Sequence, residues 1–419
     1  MHDIERAKYL IDKLKQNYGF IEISFVIKIK KEFYIIDTSY AHKNISMTFG
    51  VINLVGETFA SIDFKGKIPS LPEIEYATNN TSSICTKKEM KGYLNLSEII
   101  VDNVAIRDHY DICENDLAEL VQISNERKTN IQINQIEYYS VYLNSFGSSN
   151  IEKKVNYSGG FFGKFVNQRN FFENDWNRLI RGFLKEKLSS NNLKSNKIFG
   201  EYEVVFSSQV ASIFFHEIGH LLEYGTWCIR EGQKISNISL NIWNKTNAEN
   251  GYSNYMFDNE GIKGENTKLI ENGVVISNIH SKITALQNGK SVNGYGRITE
   301  EDSRVKPRMA QIFVENSKIN DLSIISSVKS GIYIEEAISG QTALRTQSVR
   351  IKCKKAKKIY KGILLEEVCV DYCGGNAIEL LDNILAVGSE SYCYNGMCSG
   401  ELPVSYESPI VHIKKVKIW

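Results

Sequence analysis

The stretch Ser208-Gln209-Val210-Ala211-Ser212-Ile213-Phe214-Phe215-His216-Glu217-Ile218-Gly219-His220-Leu221-Leu222-Glu223-Tyr224 decides how the chain is read. Its composition predicts an apolar helix. Within a helix, residues four apart lie on one face, a turn apart, so His216 and His220 can turn both imidazoles toward one metal ion. Glu217 is rotated off that face, where it can take a proton from an activated water. Ile213, Phe214, Phe215, Leu221 and Leu222 bury the helix and keep bulk water out. A catalytic zinc usually has three protein ligands and an open position. The residues alone leave the third ligand open. A His-x-x-Gly-x-x-His continuation fails, because positions 223 and 226 are Glu and Thr. Glu249 lies in a polar stretch, Asn241–Asn254, without helical periodicity. Glu223 either ligates or, as we favour, orients a histidine from behind.

Working outward, Glu203–Phe206 reads as a short strand feeding this helix. Upstream, Ile4, Ala7, Ile11 and Leu14 space an amphipathic helix over Ile4–Lys15. The segments Ile21–Ile29, Glu32–Ile36, Ile45–Leu54 and Glu57–Phe64 read as strands. Ala77–Ser83 reads as a loop, Leu96–Ile106 and Asp116–Ser124 as helices, and Ile131–Leu143 as one long strand or a pair. Trp176, Leu179, Ile180 and Phe183 space a helix over Asp175–Lys187. The Ser-, Asn- and Lys-rich run Leu188–Lys197 marks a domain boundary near residue 195. Downstream, alternation of Val349, Ile351 and Cys353 with charged neighbours predicts a half-buried strand, and Pro409–Val416 a closing one. The expected class is α+β. An N-terminal domain, 1–195, carries a largely antiparallel sheet; a β-rich C-terminal domain, 196–419, carries the metal-binding helix.

Composition narrows the function classes. The 419 residues carry a formal net charge of +1, with 42% hydrophobic and 24% charged. That balance gives no whole-chain attraction to nucleic acid or anionic membrane. No run reaches the roughly 18–20 apolar residues of a spanning helix, and Asp3 and Glu5 do not suit a secretion signal. The expected compartment is the cytoplasm, where the eight cysteines are free thiols or metal ligands. A four-cysteine structural zinc site from Cys369, Cys373, Cys393 and Cys398 is the less favoured reading. Asn288-Gly289-Lys290-Ser291 reads as a turn rather than a phosphate loop. Lys354, Lys355, Lys357 and Lys358 read as a solvated strand edge. His2, His42, His109, His280 and His412 have no ligand-like companions.

An ordered set of motifs surrounds the helix. Gly200-Glu201-Tyr202-Glu203-Val204-Val205 opens it. Asp258-Asn259-Glu260-Gly261 then precedes Leu269-Ile270-Glu271-Asn272-Gly273-Val274. Asn293-Gly294-Tyr295-Gly296-Arg297 precedes Pro307-Arg308-Met309. Gly375-Asn376, Asn383-Ile384 and Val387-Gly388 lead to Cys398 and Leu402-Pro403-Val404. This set, over about residues 200–416, resembles the TldD/PmbA family of metallopeptidases. The match is looser in the N-terminal half, at Phe49-Gly50-Val51 through Phe59-Ala60-Ser61. One departure is the spacing: the family's usual motif has three residues between Glu and the second His, and this chain has only Ile218 and Gly219.

The resemblance implies a Zn2+ peptidase of the active, TldD-like type. Its metal ligands would be His216, His220 and Cys398, and its general base Glu217. Arg297, Arg308 and nearby tyrosines are weak candidates for oxyanion donors. The resemblance further implies an unstructured peptide bound as an extended strand in an enclosed cavity. It also implies a homodimer, or a heterodimer with a PmbA-like homologue. The alternative is a non-catalytic, peptide-binding dimer partner of such a peptidase.

Overall fold

The computed structural model describes all residues except 1, 37–38, 57, 80–86, 98–101, 107–109, 163–169, 186–195, 226–228, 250 and 400. Among the described residues, the strands before residue 186 form one seven-stranded sheet. Its centre is a long antiparallel hairpin, Phe20–Ile36 with Ser39–Val55, joined on its other side by Asn130–Asn144 and then Ser149–Phe162. Helix His2–Leu14 buries Ala7, Ile11 and Leu14 of the predicted stripe on it, together with Leu10, while Ile4 is half-buried against the same core. Helices Glu114–Arg127 and Trp176–Lys185 cover a second core around Phe161 and Phe183.

Several sequence expectations are corrected here. Ile21–Ile29 and Glu32–Ile36 are one strand, because the lysine-rich middle stays hydrogen-bonded to neighbours on both sides. Lys28 and Lys31 find Glu300 and Asp111. Leu96–Ile106 is not one helix: a helix ends at Ser97, and Asp102–Ile106 is a strand parallel to Ser149–Lys153. Residues 77–79 of the expected loop end a helix, Leu71–Asn79. Residues 80–83 of that loop lie outside the described residues, as do most of the boundary run and His109. Ile131–Leu143 falls within the single strand Asn130–Asn144.

After residue 199 the chain is β-rich and holds one large core. Five strands pair in a closed ring: Ser330–Ala343, Gly200–Phe206, Val411–Ile418, Tyr372–Asn376 and Ser348–Tyr360, the last returning to the first. Closure leaves these strands few bare edges. A six-stranded sheet lies beside the ring. There Gln311–Val314 runs parallel to Leu402–Ser408, and Tyr392–Cys398 forms the outer edge. Helix Ser208–Leu222 packs between the Ser330–Tyr360 hairpin and this sheet. The lysines at 354, 355, 357 and 358 do not sit on a strand edge. Their strand is paired on both sides, and they meet Glu336, Glu335 and Glu366 on its neighbours.

Candidate metal centre

The helix Ser208–Leu222 is set at its start by Ser207, whose hydroxyl accepts from the Val210 N–H. It enters directly from a ring strand, since the Ser207 N–H donates to the Ile334 carbonyl. Nearly every residue of the helix is buried, and Phe214, Ile218, Leu221 and Leu222 are wholly so. Gly219 marks the contact with the neighbouring sheet. A Cβ there would stand 2.7 Å from the Met309 sulfur and 2.9 Å from Ile312.

On the remaining face, His216 and His220 meet with ring centroids 4.9 Å apart. The regular i, i+4 turn is enough to bring them together. Cys398 arrives from the end of the edge strand, opposite Leu402 in its hairpin. Its Sγ lies 3.4 Å from His220 Nε2. One donor atom from each of His216, His220 and Cys398 lies within 4.8 Å of the others. Among the described residues no other group of three His, Cys, Asp or Glu side chains converges in this way. Cys373 instead packs against Cys353, with sulfurs 3.5 Å apart in the core.

The surroundings orient this set. His220 Nδ1 lies 3.2 Å from Glu223 Oε2. Glu223 in turn accepts from Arg308 Nη1 at 2.9 Å and from the Met309 N–H at 3.0 Å. A carboxylate behind a ligating imidazole fixes the ring and its tautomer. Burial pushes the Glu223 carboxyl up, yet His220, Arg308 and Met309 outweigh it and hold it below the usual range. Burial likewise works against charge on His220, but Glu223 and Cys398 raise its pKa well above the ordinary value. Burial, with the charge of His220 adding to it, lowers His216 to about 3, so its imidazole is neutral with a lone pair to offer.

Glu217 is buried beside this set, and burial raises its pKa against the opposing pull of His220 and Thr342. The Thr342 hydroxyl lies 2.6 Å from Glu217 Oε2. Arg308, a weak oxyanion candidate in the sequence, is committed to Glu223. Arg297 is buried and donates to the carbonyls of Met309 and Pro403, a structural role. Thr342 and Tyr406, whose ring centroid lies 5.5 Å from that of His216, carry no mark in the sequence.

His216, His220, Cys398, Glu217, Thr342 and Tyr406 line a cavity of about 1360 Å³. Its walls are the helix, the far half of strand Ser330–Ala343 and the edge strand Tyr392–Cys398. That volume exceeds the few hundred Å³ of an ordinary small-molecule pocket. The donor set fits a metal: one thiol and two imidazoles with a carboxylate behind, the combination zinc favours. The buried Nδ1 of His216 has no hydrogen-bond partner among the described residues. A polar atom so placed is costly unless something else meets it.

Two histidines on a buried helix, met by a cysteine from an edge strand and opening on a large cavity, define a metallopeptidase-like protein. Residues 199–419, more than half the chain, match the model of the PmbA/TldA metallopeptidase C-terminal domain, and the chain belongs to the TldD/PmbA family. It is 26% identical over 230 residues to a metalloprotease of Methanothermobacter thermautotrophicus, covering 52% of this chain and 50% of that protein. To a zinc metalloprotease TldD homolog of Saccharolobus solfataricus it is 24% identical over 255 residues, covering 58% and 57%. The chain spans about half the length of these relatives. The crystal structure of TldE from Thermococcus kodakarensis superimposes over 98% of this chain and 99% of that one, with a TM-score of 0.67 at 14% identity. That last likeness is one of fold, and it extends through the N-terminal half.

Proposed function

We propose that this chain is a zinc-dependent peptidase that hydrolyses unstructured peptides. The observation that carries the reading is the convergence of His216, His220 and Cys398 in a cavity that also holds Glu217. In this reading the three side chains hold the metal. When bound, zinc supplies a Lewis acid that polarises the scissile carbonyl and eases deprotonation of a water. Glu217 takes the proton of the attacking water and passes it to the leaving amine. Burial favours the neutral form of Glu217, which eases the proton's stay there between the two transfers. Glu223, pinned by Arg308 and Met309, keeps the His220 ring in place.

An extended peptide suits the walls of the cavity. Among the described residues, Tyr392–Cys398 pairs on one side only, with Leu402–Ser408. Backbone hydrogen bonds to such an edge ignore side-chain identity. In the same proposal residues 1–195 and 196–419 act as two domains, the first closing the cavity and serving dimerisation. The chain pairs with a second copy or with a PmbA-like homologue, in the cytoplasm. Among the described residues no helix is long and apolar enough to cross a membrane.

Metal analysis with peptide cleavage tests the assignment. We expect about one zinc per chain, lost in His216→Ala and sharply weakened in Cys398→Ser. Glu217→Gln keeps the metal and no longer cleaves an unstructured peptide. Parent-like cleavage by Glu217→Gln would exclude it as the base, and parent-like zinc binding by Cys398→Ser would exclude the thiolate as a ligand.

A further inference from the structure

We infer that Thr342, together with the bare backbone at Gly340, is the positioning device for the Glu217 carboxylate. Both residues lie on the cavity wall, in the strand Ser330–Ala343, opposite Val349 and Ile351 of its hairpin partner. Being two apart in a strand, they present the same face. That face meets the helix at Glu217.

Two contacts act on the carboxylate. The Thr342 hydroxyl lies 2.6 Å from Glu217 Oε2 and 2.9 Å from the backbone carbonyl oxygen of the same residue. The shorter distance falls in the range of a charge-assisted O–H···O⁻ bond. At Gly340 the carboxylate takes the place of a side chain. A Cβ would stand 2.5 Å from Glu217 Cγ, 2.6 Å from Oε1 and 2.8 Å from Cδ. Gly340 is not among the glycines with positive φ, so the position needs glycine for space and not for conformation.

The geometry has a chemical reason. A glutamate has three side-chain torsions, and a base that must meet one water gains from losing that freedom beforehand. Glu217 sits one residue from His216 on a rigid helix, so its backbone is fixed and only the side chain remains to be aimed. Thr342 fixes one oxygen, and Gly340 gives the group a floor. Both residues touch Glu217 directly, and both act through it. The effect on catalysis rests on reading Glu217 as the base; the effect on its conformation does not.

The test uses zinc-loaded Thr342→Val, which keeps the shape and loses the donor, and Thr342→Ser, which keeps the donor. Thr342→Ala serves in the same way if the valine variant does not fold. Crystal structures give the place of the Glu217 carboxylate, and kinetics on an unstructured peptide give kcat and KM. We expect full metal content in all variants. In Thr342→Val the carboxylate leaves its place and kcat falls about tenfold or more at nearly unchanged KM. In Thr342→Ser the carboxylate stays and kcat remains within about threefold of the parent. A Glu217 carboxylate that keeps its place in Thr342→Val overturns the inference, as does an equal loss of kcat in the valine and serine variants. Glu217→Gln run alongside separates the two ideas. If it cleaves like the parent, the assignment of the base fails, while the crystallographic comparison still decides the positioning.

Discussion

At the scale of single residues, Glu223 shows how a site is built from behind. It touches His220, Arg308 and Met309 at once, so its carboxylate couples a ring nitrogen to a neighbouring ribbon. Partners of this kind usually carry 10- to 100-fold of metal affinity. We expect Glu223→Gln to weaken zinc binding by roughly that factor, read by competition with a chelator, without removing the metal at saturating concentration. The two histidines were legible in the sequence because four residues is one helical turn. Cys398 was not legible by spacing, since 178 residues separate it from His220. Only the resemblance singled it out. Thr342 was invisible for a different reason: a hydroxyl in a strand is ordinary until the fold sets it against a carboxylate.

At the scale of elements, the helix is held by fit. Gly219 stands where the sulfur of Met309 and the side chain of Ile312 leave no room. In an exposed helix Gly219→Ala would stabilise, because glycine costs more conformational entropy. Here we expect it to destabilise by about 1–3 kcal/mol through overpacking, seen as a lower Tm, and to weaken zinc binding as the two histidines shift. Helices with a clean apolar stripe, His2–Leu14 and Trp176–Lys185, were readable from spacing. Asp102–Ile106 was not, because what makes it a strand is pairing with Ser149–Lys153, a partner nearly fifty residues on. The lysine cluster at 354–358 was misread for the same reason: the glutamates that neutralise it lie on flanking strands.

At the scale of the molecule, the two halves are joined by a buried charged network. Lys282, from the second half, reaches Glu22 in the first at 3.1 Å, and both side chains are essentially without solvent. Asn53, Tyr93 and Tyr142 also donate to Glu22. Removing one partner leaves a bare interior charge, which typically costs about 3–5 kcal/mol. We expect Lys282→Met to lower stability by that order and Glu22→Gln/Lys282→Met to recover part of it, measured by denaturant unfolding. Glu260, whose carboxylate accepts from the Lys282 N–H, is pushed up to about 8, first by burial and then by Asp258. A carboxyl raised in the folded state stabilises fully below its unfolded pKa near 4.5, and that contribution is lost as pH rises through about 8. Glu260→Gln therefore gains on the parent between pH 5 and 8, as a Tm difference that grows with pH. The motif Asp258-Asn259-Glu260-Gly261 was legible only as a likeness; its work is this junction, where Asn259 also reaches Ser140.

The order in which the donors occur along the chain has a consequence for synthesis. The imidazole pair leaves the ribosome long before the thiolate, so a nascent polypeptide carries an unfinished coordination sphere over the 178 residues that separate His220 from Cys398. On the assignment made here, hydrolytic power is withheld until the closing hairpin has been threaded beside the helix.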